Sequence, residues 1–121
     1  MAQQMQIKLK RAYDEPAGGD GYRVLVDRVW PRGVKKDALQ LDATMKELAP
    51  STALRKWFNH EPAKWDAFRK RYFAELNDQP AAVEKLRQKA RKGIVTLVYA
   101  AKDEQHNNAV ALREHLIGKG R

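Results

Sequence analysis

The chain has 121 residues, 24 Lys+Arg against 15 Asp+Glu, a net charge of +9 and no cysteine. That length suits one domain, expected over 1–121 with 1–5 and 118–121 frayed, and leaves no room for a second core of normal size. The missing cysteines exclude a disulfide framework, a thiolate zinc site and a thiol nucleophile, and no apolar run approaches the roughly 20 residues that span a bilayer.

Gln6-Ile7-Lys8-Leu9-Lys10 alternates polar and apolar residues, the pattern of a half-buried strand. The following Glu15–Gly21, rich in glycine, reads as a plain flexible connection. It is no phosphate-binding P-loop, because no Gly-Lys-Ser/Thr follows. Tyr22-Arg23-Val24-Leu25-Val26 is short, continuous and largely apolar, as an interior strand is, and stops at Asp27-Arg28. Pro31 and Gly33 then break regular structure. Leu39 to Ala49 accommodates either a short helix or an edge strand.

Ser51 is placed to cap a helix over Thr52–Phe58 by accepting a backbone N–H. Pro62 suits the first turn of another helix, in which Trp65, Phe68, Tyr72 and Leu76 form one apolar stripe. That stripe reads as core rather than as a platform for stacking bases. A third helix is expected from Pro80, with Val83, Leu86 and Ala90 inward and Gly93 ending it. Ile94 to Ala101 is the strongest strand, apolar on both faces as a central parallel strand must be, and Lys102-Asp103 interrupts it. Asn107 or Asn108 can cap a last helix carrying Ala109, Leu112 and Leu116. The sum is a small α/β sandwich: a mostly parallel sheet with helices on both faces.

Positive charge is spread evenly. Residues 1–60 carry +4 and residues 61–121 carry +5, so neither end is a charged tail. The densest clusters are Lys85–Lys92 and Arg69-Lys70-Arg71. Spacing scatters the first around its helix, which favours solvated faces over a nucleic-acid footprint.

The two apolar strands both end in polar groups, Asp27-Arg28 and Lys102-Asp103. If the strands are parallel neighbours, these groups share the sheet edge at which open α/β sheets bind ligands. The stretch Asp27-Arg28-Val29-Trp30-Pro31-Arg32-Gly33 sets two arginines beside a Trp and a rigid Pro, parts of a planar clamp for an anion. The competing reading pairs Asp27 with a neighbouring cation and uses Trp30 to plug the core. Arg55 and His60 lie within reach on the next helix and just after it. His60 reads as a general base or, more simply, as a cap for the following helix. His106 carries the same ambiguity, and His115 reads as a surface residue. Metal is not expected, since no His-x-x-x-His or calcium-loop spacing occurs.

Several stretches resemble the YeaO-like branch of the domain-of-unknown-function 488 family. They are Ile7–Asp14, Arg23–Gly33 with its Asp-Arg-Val-Trp-Pro-Arg-Gly core, Leu48–Ser51, Leu54–His60, Phe68–Tyr72 with Glu75-Leu76, and Thr96–Asp103 with Asn107 and Ala109. The resemblance spans nearly the whole chain. It implies an α/β fold with a site at the two strand ends, and supplies no substrate. Many relatives place Cys-His-Arg after the second of these strands, where this chain has His106-Asn107-Asn108. Thiol chemistry is therefore absent here.

The expectation is a cytoplasmic protein with a pocket for an anionic, phosphate-bearing or nucleotide-like small molecule at the strand C-terminal ends. Arg28, Arg32 and Arg55 would hold the anion, Trp30 would wall it, and Asp27, Asp103 and His60 would orient the ligand or move protons. No cofactor is implied. Two alternatives are a nucleic-acid-binding module using the basic helix faces, with only non-specific affinity expected, and a protein-interaction domain without ligand. No membrane partner is expected, and oligomeric state is open.

Overall fold

The computed structural model describes residues 5–118. Its centre is a four-stranded, all-parallel sheet in the order β1-β4-β2-β3. The strands are β1 (Ile7–Arg11), β2 (Tyr22–Leu25), β3 (Ala43–Thr44) and β4 (Val95–Tyr99). All five residues of β4 are buried, as its unbroken apolar run requires of a central strand. β2 lies beside β4 in parallel register, Val24 against Leu97 and Leu25 against Val98. The polar ends of the two strands therefore lie on one edge of the sheet.

The two faces are covered unequally. One carries four helices: α2 (Thr52–Phe58), α3 (Trp65–Asn77), α4 (Pro80–Lys92) and α5 (Asn108–Leu116). Their buried residues, among them Phe58, Phe68, Tyr72, Leu86 and Leu112, form one cluster with Val24, Val26, Val95, Leu97 and Tyr99. The other face carries only the single-turn α1 (Lys36–Leu39) and loops, over a small group of Ala12, Leu25, Leu39 and Val98. Leu39 to Ala49 thus holds both of the expected alternatives, the end of a short helix and an edge strand.

Local chemistry accounts for the element ends. The Ser51 Oγ accepts the Leu54 N–H at 3.1 Å and starts α2, while Glu75 of α3 receives both the Ser51 N–H (2.8 Å) and its hydroxyl (2.6 Å). Gly93 closes α4. Asn107 caps α5, accepting the Val110 N–H at 2.9 Å. The Tyr72 hydroxyl donates to the Leu48 carbonyl, which ties α3 to the segment before α2.

Two expectations are corrected. Glu15–Gly21 is not a plain flexible connection: Gly18–Asp20 forms a 3-10 turn and Asp20 is buried. The Asp20 carboxylate accepts from Arg23 at 2.6 Å, from Lys10 at 2.9 Å and from the Ala17 N–H at 3.0 Å. Gly21 sits at φ +63°, and a Cβ there would overlap the Ile94 carbonyl. Only glycine relieves both constraints. His115 is not a surface residue; it is half-buried, with its ring stacked 5.4 Å from that of Phe73. At the ends of the described segment, Met5 packs on the core and the Gly118 N–H donates to the His115 carbonyl at 3.2 Å. Residues 1–4 and 119–121 lie outside the described residues.

Candidate functional site

Where β2 and β4 end, the chain opens into a cavity of about 320 Å³. It is lined by the loop after β2 (Asp27 to Arg32), by Tyr13, by Ala49 and Pro50, by Arg55, Phe58 and His60, by Phe68 and by Ala100, Ala101 and His106 to Asn108. Parallel strands put their C-terminal ends on one edge, and the side chains that follow them must converge there.

Asp27 is fixed at this edge. Its Oδ2 accepts the Ala100 N–H at 2.9 Å, just past the end of β4, and its Oδ1 accepts Asn108 Nδ2 at 2.9 Å. The same Asn108 amide also donates to the Val26 carbonyl at 3.0 Å. Asp27 therefore stitches β2, β4 and α5 together. Among the described residues it makes no ion pair, which speaks against the reading of a salt-bridged structural aspartate. Burial pushes its carboxyl above the ordinary value of 3.8. The bonds from Asn108 and Ala100 and the charges of Arg55 and His60 oppose that rise without cancelling it.

Three guanidiniums stand on the lining. Arg28 reaches the Pro50 carbonyl through Nε at 3.3 Å, and Arg28, Arg32 and Arg55 are all exposed. Among the described residues none of the three pairs with a carboxylate, whereas Arg23, Arg69, Arg87 and Arg91 each do. The cavity thus gathers three arginines that form no salt bridge among the described residues, with Asp27 the one carboxylate on the same lining. α5 also begins at the cavity, so the positive end of its dipole adds to the same field.

The aromatic wall is held rigid. Trp30 is 40% exposed and so does not plug the core; its indole N–H donates to the Val34 carbonyl at 2.7 Å. Tyr13, 48% exposed, donates its hydroxyl to the Arg32 carbonyl at 3.2 Å. With Val29, these are the exposed large apolar side chains among the described residues, and all three line the cavity. His60 is exposed and adopts φ +55°, after Asn59 at +48°. Two successive left-handed residues turn the chain sharply after α2 and set His60 on the lining.

Asp103, expected to face a ligand, does not line the cavity. Its Oδ1 accepts the N–H groups of Gln105 (2.9 Å) and His106 (3.0 Å), and its Oδ2 holds His106 Nδ1 at 2.9 Å. Those bonds, the Gln105 N–H first, keep its carboxyl below the ordinary value. His106 takes the expected place instead, edge-on to Trp65 at 5.4 Å. Residue types alone gave little warning of Tyr13 and Asn108, whereas His106 carried the same two readings as His60. The available signal was the doubled Asn107-Asn108: one amide caps the helix, and the second is free to reach elsewhere. Among the described residues, no three His, Asp or Glu side chains converge as ligands for a metal.

The basic helix faces look different. On α4, Arg87 and Arg91 pair with Glu84, and Arg87 also donates to the His115 and Leu116 carbonyls. Lys85, Lys89 and Lys92 are exposed, with Lys89 lying 4.9 Å from the Tyr22 ring centre. In the second cluster Arg69 pairs with Glu114, and Arg71 lies 4.1 Å over the Trp57 ring.

Against this geometry, the profile of the family described as the inactive DUF488-N3 subclade matches residues 6–120. The chain belongs to that subclade. It is 46% identical over 112 residues to the uncharacterized protein YeaO of Escherichia coli (strain K12), covering 93% of this chain and 97% of YeaO. It is 37% identical over 119 residues to uncharacterized proteins of Mycobacterium bovis and Mycobacterium tuberculosis, covering 98% of this chain and 100% of theirs. No solved structure matches it. Among the described residues, no helix of this subclade member is long and apolar enough to cross a membrane.

Proposed function

We propose that the chain is a binding domain for a small phosphate-bearing anion, held at the C-terminal edge of the sheet without being chemically altered. One observation carries the reading: three guanidiniums without carboxylate partners stand on one cavity. An arginine fork matches phosphate oxygens in a bidentate way, and cations gathered around a cleft focus their field into it. Pro31 and the bonded Trp30 pre-order the loop that carries two of the three, which lowers the entropy cost of binding. The absence of turnover rests on the family's description as inactive and on the lining, which offers no thiol, amine or aliphatic hydroxyl. Asp27 and His60 then orient the ligand, and Asp103 positions His106 for the same task.

The test is a titration of isotope-labelled protein with inorganic phosphate and pyrophosphate, followed by amide shifts. Shifts confined to 27–33, 55–60 and 100–108, and abolished in the combined variant Arg28→Ala, Arg32→Ala, are the expected result. Shifts spread over α4 and absent from the cavity would move the function to the basic helix face.

A further inference from the structure

A carboxylate on the lining of a cavity that also carries three arginines is unexpected for a site that takes only an anion. Asp27 repels phosphate, yet it is held there by two bonds and pairs with no arginine. Its bonding is also incomplete. An ionised carboxylate offers about four lone-pair sites, two on each oxygen. Oδ2 spends one on the Ala100 N–H and Oδ1 spends one on Asn108. One acceptor site therefore remains on each oxygen, a capacity that matches a ligand edge with two N–H donors.

A cationic guanidinium would fill that pair but would sit among three like charges, so the donor edge must be neutral. Trp30 and Tyr13 add a further requirement. Their polar ends are already bonded, so what they offer the cavity is rigid ring surface, which suits a flat aromatic ligand. Among nucleobases, guanine alone presents a ring N–H beside an exocyclic amino N–H. Adenine and cytosine set their amino group beside a ring acceptor that would face the carboxylate. Uracil flanks its single N–H with two carbonyls.

We propose that the cavity takes a guanine nucleotide unit, with the base edge on Asp27, the ring against Trp30 and the phosphate on Arg28, Arg32 and Arg55. Asp27 is then the specificity-determining residue of the site. The phosphate half of this inference rests on the anion reading above; the base half rests on Asp27 and the aromatic wall.

Calorimetric titration of the full chain with GMP, IMP, AMP, guanosine and inorganic phosphate tests the two halves separately. GMP should bind about tenfold or more tightly than AMP, with IMP, which lacks the amino group, in between. Asp27→Asn should bring GMP down to the AMP level. A guanine-containing trinucleotide run beside GMP tells a free nucleotide from a residue of a strand, and either one exceeding its adenine counterpart by this factor supports the proposal. GMP no tighter than AMP on the native chain, a comparison that needs no variant, overturns the guanine proposal even if phosphate binds. Guanosine binding without phosphate binding upholds the base half and overturns the anion reading. Binding by none of the five overturns both.

Discussion

Asp20 and Asp27 flank the same strand, β2, and meet opposite fates. Asp20 precedes it, is 5% exposed, and is paired with Arg23, itself 4% exposed, and with Lys10. Arg23 also donates from Nε and Nη2 to the Leu39 and Gln40 carbonyls, and the Asp20 carbonyl accepts the Thr96 hydroxyl at 2.7 Å. Burial alone would push the Asp20 carboxyl up, but the Ala17 N–H, Lys10 and Arg23 outweigh it and leave the group below its ordinary value. Asp27 follows the strand, receives only neutral donors, and stays above the same ordinary value. A network in which one carboxylate meets two cations fixes a loop over the thinly covered face of the sheet. An open one leaves acceptor capacity at the edge where the cavity lies. Buried charge is structural where its partners are complete and available for binding where they are not.

The sharpest way to break this contrast is Asp20→Ala. It strands the Arg23 guanidinium in the interior, and breaking a buried pair from one side costs about 3–5 kcal/mol. Denaturant melts should show that loss at neutral pH. Because the folded Asp20 value is lowered, its contribution is whole above 3.8 and disappears as pH falls through the folded value; the variant should lack that acid limb. A loss below 1 kcal/mol would mean that the network is not what holds the loop.

Next comes Gly21→Ala, which keeps both charges but denies the backbone its turn. Left-handed strain costs roughly 1–3 kcal/mol, and overlap with the Ile94 carbonyl adds to it. A melting temperature equal to that of the native chain would show that the loop can re-route.

Asp27→Asn should change stability by only about 1 kcal/mol at neutral pH, since one weak bond is lost while a partly desolvated charge is removed. The pH trend is opposite to that of Asp20. With its folded value raised, Asp27's contribution is present below 3.8 and lost as pH rises through the folded value. The variant should therefore gain on the native chain across that rise. A gain that runs the other way would place Asp27 with Asp20 as a structural charge.

The smallest effect is expected from reversing Lys85, Lys89 and Lys92 to Glu, on a helix face that neither network touches. Stability should move by less than about 0.5 kcal/mol per site, and phosphate shifts at the cavity should persist. Loss of those shifts would show that α4 takes part in binding.

Much of this organisation is legible in the residues. The apolar run of β4, the stripe Phe68-Tyr72-Leu76, the Ser51 cap and the polar groups closing two apolar strands are local patterns, and each predicts its own placement. Asp27, Arg28, Trp30, Arg32, Arg55 and His60, singled out from those patterns, all line one cavity. Glu15–Gly21 shows where this kind of reading stops. Its glycines announce a turn, but nothing local announces that Asp20 will meet Lys10 and Arg23. His115 likewise finds Phe73 from a different helix.

Sequence by itself determined the parallel α/β class, the central strand, the helix caps and the edge on which the polar groups closing two apolar strands collect. All of these follow from periodicity and from the backbone's need for hydrogen-bond partners. Tertiary structure alone decided which charges are neutralised and which stay available. It paired Asp20 with Arg23, turned Asp103 onto His106, and brought Asn108 across to Asp27. The physical reason is that a charge's state depends on distances of a few ångströms between segments far apart in the chain, and those distances exist only once the helices have packed on the sheet.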